Sequence, residues 1–431
     1  MTSKKPSVSY PPTKVGGFGS LSQINTVLSK TRISWFLIIK LLNFSMLSER
    51  ARKIAPSPTF ALTARINEMK KRGIDVVSFG IGEPDFDTPE NVKSAAINAI
   101  KQGFTKYTPS SGIPELKDAI ARKFKHDNGL DYKPGEILVS CGAKQCLYNI
   151  MQVLLNPSDE VIIPVPYWVS YIEQVRLADG KPVLLETEQF KINPDTLRKA
   201  ISRRTKILIL NSPSNPTGAV YSREELERIA DICVEKNVFM ISDEVYEKFI
   251  YDGSHYSIGS FGDEIKKLTI VVNGVSKTYA MTGWRIGYCG ADESIVKAAS
   301  NIQDQSTSNP CSIAQKAALE ALTGPQDSVE RMRREFEKRR NFIVKRLNEM
   351  PGMECDTPKG AFYVFPLVSS MYKNDIKNSI DLSNALLEKA RIAVVPGSAF
   401  GADDYIRLSY ATSMERIVEG MNRLEAFCNK Y

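Results

Sequence analysis

An aspartate and a lysine each come just after an apolar run of strand length. Asp243 follows Val238–Ile241, and Lys277 follows Leu268–Val272. A lysine amine held beside a buried strand loses hydration, which lowers its pKa and frees it to attack a carbonyl carbon. A carboxylate in such a place is costly to bury unless it faces a cation or a donor. Taken singly, Lys277 would be interpreted as an ordinary surface charge. The residues that accompany it therefore decide whether it has a chemical role.

Two turns and an arginine supply those neighbours. Gly142, Ala143 and Lys144 open a helix after an earlier apolar run, and the free N–H groups at the positive end of a helix can hold a phosphate. A Pro-rich turn would hold the Asn215 amide rigidly over the sheet edge. Arg285 lies among glycines and could grip a phosphate with two hydrogen bonds. Each turn also has a plain interpretation, as a small-residue turn or a capped loop.

Together these residues match the needs of one cofactor. A nucleophilic amine, a buried carboxylate, a phosphate-binding turn and a rigid amide are the parts that hold pyridoxal phosphate as a Schiff base. The sequence therefore predicts a pyridoxal-phosphate site at the carboxyl edge of a sheet.

The elements that must position this site are those of an α/β protein. The chain has 431 residues, of which 42% are hydrophobic and 25% charged, a balance typical of a globular protein with two or three domains. Amphipathic helical segments such as Arg223–Lys236 alternate with five apolar runs of strand length: Ile137–Val139, Val161–Val165, Lys206–Leu210, Val238–Ile241 and Leu268–Val272. This alternation predicts a mostly parallel sheet with helices on both faces. Beyond a charged helix over residues 327–349, three further strands (Ala361–Phe365, Ile392–Val395 and Tyr405–Ser409) predict a second, smaller lobe.

Composition excludes several other classes of protein. The seven cysteines, an odd number without a C-x-x-C pair, argue against a disulfide framework and indicate a reducing compartment. The two histidines, His126 and His255, are far apart in sequence, which argues against a Ser-His-Asp hydrolase and a histidine-rich metal site. Residues 1–45 contain six Lys or Arg and no acidic residue, so removing them lowers the net charge from +8 by six to +2. We therefore predict no nucleic-acid partner and no metal.

The basic leader, residues 1–45, allows three interpretations. Its apolar stretch, Ile33–Phe44, is interrupted by Lys40 and Asn43 and is too short to span a bilayer, so no membrane partner is predicted. Helical patterning begins at Met46, which favours a spurious or disordered extension and a cytoplasmic protein. The alternatives are a transit peptide directing the chain to a plastid or mitochondrion, or a weak secretion signal.

Six ordered motifs carry a resemblance to a known family. Residues 46–431 resemble the class I aminotransferases of fold type I, in particular the subgroup containing aspartate and aspartate/glutamate–prephenate aminotransferases. The matching segments are Gly82–Pro89, Tyr167–Tyr171, Asn215–Gly218, Ser242–Tyr246, Ser276–Gly287 and Arg407–Ala411. The resemblance implies a large cofactor-binding domain, residues 90–330, with a mostly parallel seven-stranded sheet. It also implies a smaller α+β domain formed by residues 46–89 and 331–431.

The resemblance assigns roles around the cofactor. Lys277 forms the Schiff base and carries the proton between Cα and C4′, while Asp243 pairs with the pyridinium nitrogen. Asn215 and Tyr246 hydrogen-bond the ring oxygen O3′. The cofactor ring is expected to stack on Trp168. The cofactor phosphate is expected to be held by Gly142, Ala143, Lys144, Arg285 and Tyr107. Tyr107 would come from the second subunit of a homodimer.

The resemblance also divides the substrate site into two ends. Arg407 is expected to grip the α-carboxylate, with help from Asn215, Trp168 and the backbone N–H of Gly82. The distal carboxylate is expected at Lys144 and Thr59, although Thr59 could equally be the N-cap of the following helix.

The implied activity is transfer of amino groups between aspartate or glutamate and 2-oxo acids, by a ping-pong mechanism through pyridoxamine phosphate. Prephenate is a further candidate acceptor. The alternatives are an aminotransferase for aromatic or neutral amino acids, an α,β-elimination enzyme of the same family, and a binding module that retains the fold without catalysis.

Overall fold

The computed structural model describes residues 47–56 and 58–430. The predictions made for residues 1–45, and the proposed start at Met46, lie outside these residues. Residues 47–54 contain one short helix, α1 (Glu49–Lys53), whose N-cap Ser48 accepts a hydrogen bond from the Ala51 N–H. In the described part of the chain, no helix has both the length and the apolar character needed to cross a bilayer.

A seven-stranded sheet forms the centre of the larger part of the chain. In chain order its strands are β2 (Ile137–Ser140), β3 (Glu160–Val165), β4 (Lys181–Glu186), β5 (Thr205–Asn211), β6 (Phe239–Asp243), β7 (Thr269–Gly274) and β8 (Gly287–Gly290). Their spatial order is β2-β8-β7-β6-β5-β3-β4, and β8 alone in this sheet runs opposite to the direction of the other six strands. The expected mostly parallel α/β sheet, with seven strands, is confirmed.

Helices cover both faces of this sheet. Adjacent residues of one strand point to opposite faces, so Leu138 packs in one cluster with Ile150 and Val296, whereas its neighbour Val139 packs in another with Ile120. The α-helices among residues 58–430 are α2 (Pro58–Lys71), α3 (Glu90–Lys101), α4 (Pro114–Asn128), α5 (Ala143–Leu154), α6 (Ser170–Leu177), α7 (Pro194–Ala200), α8 (Arg223–Lys236), α9 (Asp263–Leu268), α10 (Val275–Thr278), α11 (Glu293–Ser306), α12 (Ser312–Thr323), α13 (Asp327–Asn348), α14 (Ser379–Ala385) and α15 (Met414–Cys428).

Two small sheets lie outside the central one. The strand β1 (Val77–Ser78) pairs with β10 (Ile392–Ala393), and β11 (Val395–Pro396) and β9 (Tyr363–Val364) flank β12 (Ile406–Ser409). Strands β1, β9, β10 and β12 pack with α13 and α15 in one apolar cluster that includes Phe336, Leu408 and Leu424, whereas β11 contributes to a separate cluster. The three strand segments predicted after residue 349 are therefore present, with Ile392–Val395 split between two sheets.

Two strands of the central sheet were missed by the sequence analysis. β4 lies at the sheet edge, where only one of its six residues is buried, and its short apolar run follows Pro182, a residue that weakens a strand prediction. The sequence of β8 is Gly-Tyr-Cys-Gly, and glycine is depleted in strands. Both strands are specified by their neighbours in the sheet more than by their own composition.

Candidate active site

The sheet topology brings the chemically interesting segments to one edge. Strands β2, β3, β5, β6 and β7 run in the same direction, so their carboxyl ends coincide. Because β8 runs the opposite way, its first residue, Gly287, pairs with the last residues of both β2 and β7, Ser140 and Gly274. Arg285 therefore reaches the same edge from the amino end of its strand.

Lys277 lies in the short helix α10, which begins directly after β7. Its amine donates a 2.6 Å hydrogen bond to the carbonyl oxygen of Gly82. Loss of hydration lowers the pKa of the amine to about 8; Glu83 opposes this shift, and Arg285 and Arg407 strengthen it. At neutral pH a larger fraction of this lysine is uncharged than of an ordinary surface lysine, as a nucleophile requires.

Asp243 ends β6 and is 5% exposed. The Tyr171 hydroxyl donates a 2.6 Å hydrogen bond to its Oδ2, whereas its Oδ1 is buried and has no partner among the described residues. Burial raises the pKa of this carboxyl to about 6, although the hydrogen bond from Tyr171 opposes the shift. One oxygen is thus fixed and the other is available to a cationic or N–H donor, which fits a pyridinium nitrogen.

The turn before α5 has the geometry of an anion-binding site. Gly142 is the N-cap of the helix and has a φ of 88°, a left-handed conformation that favours glycine. A Cβ at this position would overlap the Arg285 guanidinium. Arg285 is anchored by hydrogen bonds from Nη1 to the Thr282 carbonyl (2.8 Å) and from Nη2 to the Cys141 carbonyl (3.3 Å). The helix N-terminus and this cation converge on one place, which fits a phosphate group.

Arg407 lies in β12 and is 2% exposed. Its Nη1 donates to Asn215 Oδ1 (3.0 Å) and its Nη2 to the Gly80 carbonyl (2.8 Å). Its Nε has no hydrogen-bond partner, and no carboxylate within residues 47–56 and 58–430 forms an ion pair with the guanidinium. A buried cation without a counter-ion is costly, so the site is suited to a ligand carboxylate.

Tyr246 and Tyr363 lie beside this arginine. Their hydroxyl oxygens are 2.8 Å apart, and both side chains are buried. Burial raises the pKa of both hydroxyls, so each is protonated at neutral pH and can donate a hydrogen bond.

Lys144 lies at the border of a cavity of about 740 Å³ and contacts the ring of Trp168. The Lys144 amine is 4.9 Å from the centre of the Trp168 ring, and Lys144, Arg285 and Tyr148 line the cavity. Burial, reinforced by the charge of Arg285, lowers the pKa of Lys144. Its amine is thus placed to meet an anionic group inside this cavity.

Two predicted residues are less closely tied to the site. Helix α2 begins at Pro58, so Thr59 lies in its first turn and not at the N-cap position. Pro58 lines the same cavity as Lys144, which brings the segment carrying Thr59 to the expected distal end. Tyr107 is 92% exposed and does not line this cavity. Its assignment depends on a second subunit.

Two tyrosines and a polar network near the site were not predicted from the sequence. Tyr171 belongs to a cited motif but was given no role, and Tyr363 was not singled out. Glu244 accepts hydrogen bonds from Ser242 (2.7 Å), Ser257 (2.7 Å) and Asn128 (2.9 Å). No spacing rule identifies the contacts from Ser257 and Asn128, which are 13 and 116 positions away in the chain, although an acidic residue directly after Asp243 was a usable signal.

This fold and this edge of the sheet define a class of protein. A lysine amine of lowered pKa, a buried carboxylate with one unpaired oxygen and an anion-binding helix N-terminus form the site of a fold type I pyridoxal-phosphate-dependent enzyme. The family model for aminotransferase class I and II matches residues 74–424. The chain belongs to this family.

Individual relatives agree with this assignment. The chain is 52% identical to an aspartate aminotransferase of Bacillus sp. (strain YM-2), over 89% of this chain and 99% of the relative. It is 49% identical to a probable aspartate/prephenate aminotransferase of Aquifex aeolicus, over 88% and 98%. The structure of the Thermus thermophilus aspartate aminotransferase with maleate has a TM-score of 0.85 and 44% identity, over 88% of this chain and 99% of that one.

Proposed function

We propose that this enzyme transfers amino groups between aspartate or glutamate and 2-oxo acids, including oxaloacetate and 2-oxoglutarate, in a ping-pong reaction. The observation that carries the proposal is the buried Arg407, which pairs with no carboxylate of the described residues. The α-carboxylate of a substrate would supply a counter-ion for the Arg407 guanidinium and accept two parallel hydrogen bonds from it. The names of the relatives support the dicarboxylic substrates.

The cofactor, when bound, accepts the electron pair released as the Cα–H bond breaks. Asp243 would keep the pyridine nitrogen protonated through its unpaired Oδ1. Arg407 holds the Asn215 oxygen, which turns the amide nitrogen outward as a donor, and Asn215 and Tyr246 would both donate to the ring oxygen O3′. Trp168 would stack on the ring.

Separate residues would hold the cofactor phosphate and transfer the proton. The backbone of Gly142, Ala143 and Lys144, together with Arg285, would hold the phosphate at the start of α5. Tyr107 of the partner subunit would add a hydroxyl, which makes the enzyme a homodimer; the 92% exposure of Tyr107 in one chain supports this. Lys277 would take the proton from Cα and return it at C4′, since burial lowers the pKa of its amine to about 8 and so makes it a better proton acceptor and donor near neutral pH.

The substrate site extends from Arg407 to the large cavity. The backbone N–H of Gly82, the Asn215 amide and Trp168 would complete the α-carboxylate site. Lys144 and Thr59 would meet the distal carboxylate. A flexible cation bordering a cavity of about 740 Å³ suits acids of different length better than a rigid arginine fork, so we also propose prephenate as an acceptor.

Replacing Lys144 with Ala is expected to discriminate among acceptors. Loss of the distal ion pair should lower kcat/KM for oxaloacetate and prephenate by about 1.5–3 kcal/mol of transition-state binding, and that for phenylpyruvate much less. The measurement is kcat/KM for the three acids. Lys144→Met is the matched control for packing on Trp168, because it keeps the aliphatic chain and removes the charge. Equal losses for all three acids would place Lys144 at the phosphate or in the fold instead.

A spectroscopic experiment tests the reaction itself. The purified enzyme should show the visible absorbance band of cofactor bound to Lys277, which glutamate should bleach and 2-oxoglutarate should restore. A binding module would keep the band without turnover. Higher kcat/KM for phenylpyruvate or neutral 2-oxo acids than for oxaloacetate would favour the aromatic or neutral alternative, and release of ammonia would favour elimination.

We also propose a division of the chain into two domains and a location in the cytoplasm. The separation of the central sheet from the two small sheets supports a large domain of residues 90–330 and a small domain of residues 46–89 and 331–431. The seven cysteines are all free, which supports a reducing compartment and hence the cytoplasm. A plastid or mitochondrial location remains the alternative if residues 1–45 are a transit peptide.

A further inference from the structure

We propose that Tyr363 is a positioning residue that couples the α-carboxylate site to the cofactor-oxygen site, through two separable parts of its side chain. This inference rests on the proposed function. The Tyr363 hydroxyl contacts Tyr246, and its ring contacts Arg407.

The hydroxyl of Tyr363 determines how Tyr246 uses its single proton. The two oxygens are 2.8 Å apart, and either could donate. When Tyr246 donates its proton to the ring oxygen O3′, its lone pairs are left to accept, so Tyr363 becomes the donor to Tyr246. Hydrogen bonds in such a chain polarise and strengthen one another. Tyr363 thus increases the ability of Tyr246 to stabilise negative charge on O3′.

The ring of Tyr363 determines where Arg407 lies. The guanidinium carbon is 4.6 Å from the centre of this ring and 5.1 Å from that of Phe400. The aromatic faces attract the cation electrostatically in a site where no acidic side chain of the described residues neutralises it. Tyr363 is fully buried, so the ring cannot move away without opening a cavity.

Gly82 shows how closely Tyr363 approaches the reacting centre. A Cβ on Gly82 would lie only 2.6 Å from the Tyr363 hydroxyl oxygen, so this hydroxyl requires a residue without a side chain there. The carbonyl of the same Gly82 accepts the hydrogen bond from Lys277. The Tyr363 side chain therefore borders three parts of the site. These are the Gly82 backbone that holds Lys277, the Tyr246 hydroxyl beside O3′, and the Arg407 guanidinium for the α-carboxylate.

The test separates the two parts of the side chain in the holoenzyme. Tyr363→Phe removes the hydroxyl and keeps the ring, whereas Tyr363→Leu removes both. The first readout is the midpoint of the pH titration of the visible band, which follows the proton on the Lys277 nitrogen. The second is the Kd of maleate, a non-reacting dicarboxylate, from its effect on the spectrum. Thermal unfolding checks the fold, and Tyr363→Met replaces Tyr363→Leu if the latter does not fold.

We expect Tyr363→Phe to raise the titration midpoint by about 0.5 pH unit. Without the Tyr363 hydroxyl, Tyr246 is a weaker donor to O3′ and therefore stabilises the deprotonated form less. The Kd of maleate should stay within about twofold. Tyr363→Leu should raise that Kd by about tenfold or more, since the desolvated cation–π contact is lost. The shift caused by Tyr363→Phe should vanish in a Tyr246→Phe background, because the hydroxyl acts through Tyr246.

A matched control lies in the same cluster. The buried Tyr410 hydroxyl donates to the Ala361 carbonyl (3.2 Å), so Tyr410→Phe should leave both readouts unchanged. An unchanged midpoint in Tyr363→Phe, or a shift that persists without the Tyr246 hydroxyl, would overturn the coupling. Absence of the visible band from the wild-type protein would instead refute the proposed function, so the two failures are distinguishable.

Discussion

Replacement of Lys277 by Ala is expected to lower multiple-turnover transamination by about 10⁵-fold, because the enzyme loses its nucleophile and its proton carrier together. The visible band of the Lys277-bound cofactor should also disappear. The measurement is a coupled assay with glutamate and oxaloacetate, together with an absorbance spectrum. Of all the variants considered, this one should have the largest effect, since the described residues place no other lysine amine against the Gly82 carbonyl.

Two control variants sharpen this expectation. Lys277→Arg keeps a cation of similar length but is always protonated and cannot act as the nucleophile, so its activity should fall as far. Lys236→Ala removes a surface lysine that pairs with Glu235 at 2.9 Å and should leave the rate unchanged. Sustained turnover in either Lys277 variant would contradict the assigned chemistry.

Replacement of Asp243 by Asn should lower kcat by about 10³-fold with a much smaller change in KM. The amide keeps the shape of the carboxylate but removes the negative charge facing the ring nitrogen. That nitrogen then loses its proton, and the ring accepts electrons from Cα less readily. Single-turnover rates with aspartate report this step directly. Asp243→Glu, which restores the charge with altered geometry, should recover part of the loss.

The neighbouring carboxylate provides the matched control. Glu244 is 1% exposed and directed at Ser242, Ser257 and Asn128. Glu244→Gln makes the same change of charge one residue away, but it should lower the free energy of unfolding while reducing kcat less than tenfold. If Glu244→Gln and Asp243→Asn reduced kcat equally, a specific role of Asp243 at the ring nitrogen would be refuted.

The sequence by itself determined much of the central fold and the chemistry at its edge. Five strands of the central sheet were predicted because each is an apolar run bounded by polar turns, a pattern set by local burial. Asp243 and Lys277 could be identified together with the turns that follow other strands, since residues at the carboxyl ends of parallel strands gather at one edge of the sheet. Arg407 and Trp168 came instead from the resemblance of their motifs to a family, because their local sequences do not specify a role.

Only the tertiary structure decided which side chains meet. The Tyr171–Asp243 bond joins residues 72 positions apart, and the Tyr246–Tyr363 pair spans 117 positions. Hydrogen bonds between buried hydroxyls depend on three-dimensional packing to within a few tenths of an ångström, which no periodicity or spacing encodes. The unpaired oxygen of Asp243 and the unneutralised guanidinium of Arg407 were likewise visible only once every neighbouring donor and acceptor had been placed. The positions of the five buried parallel strands follow from patterns along the chain, whereas the strands β4 and β8 and the pairing of buried polar groups follow from how distant segments pack.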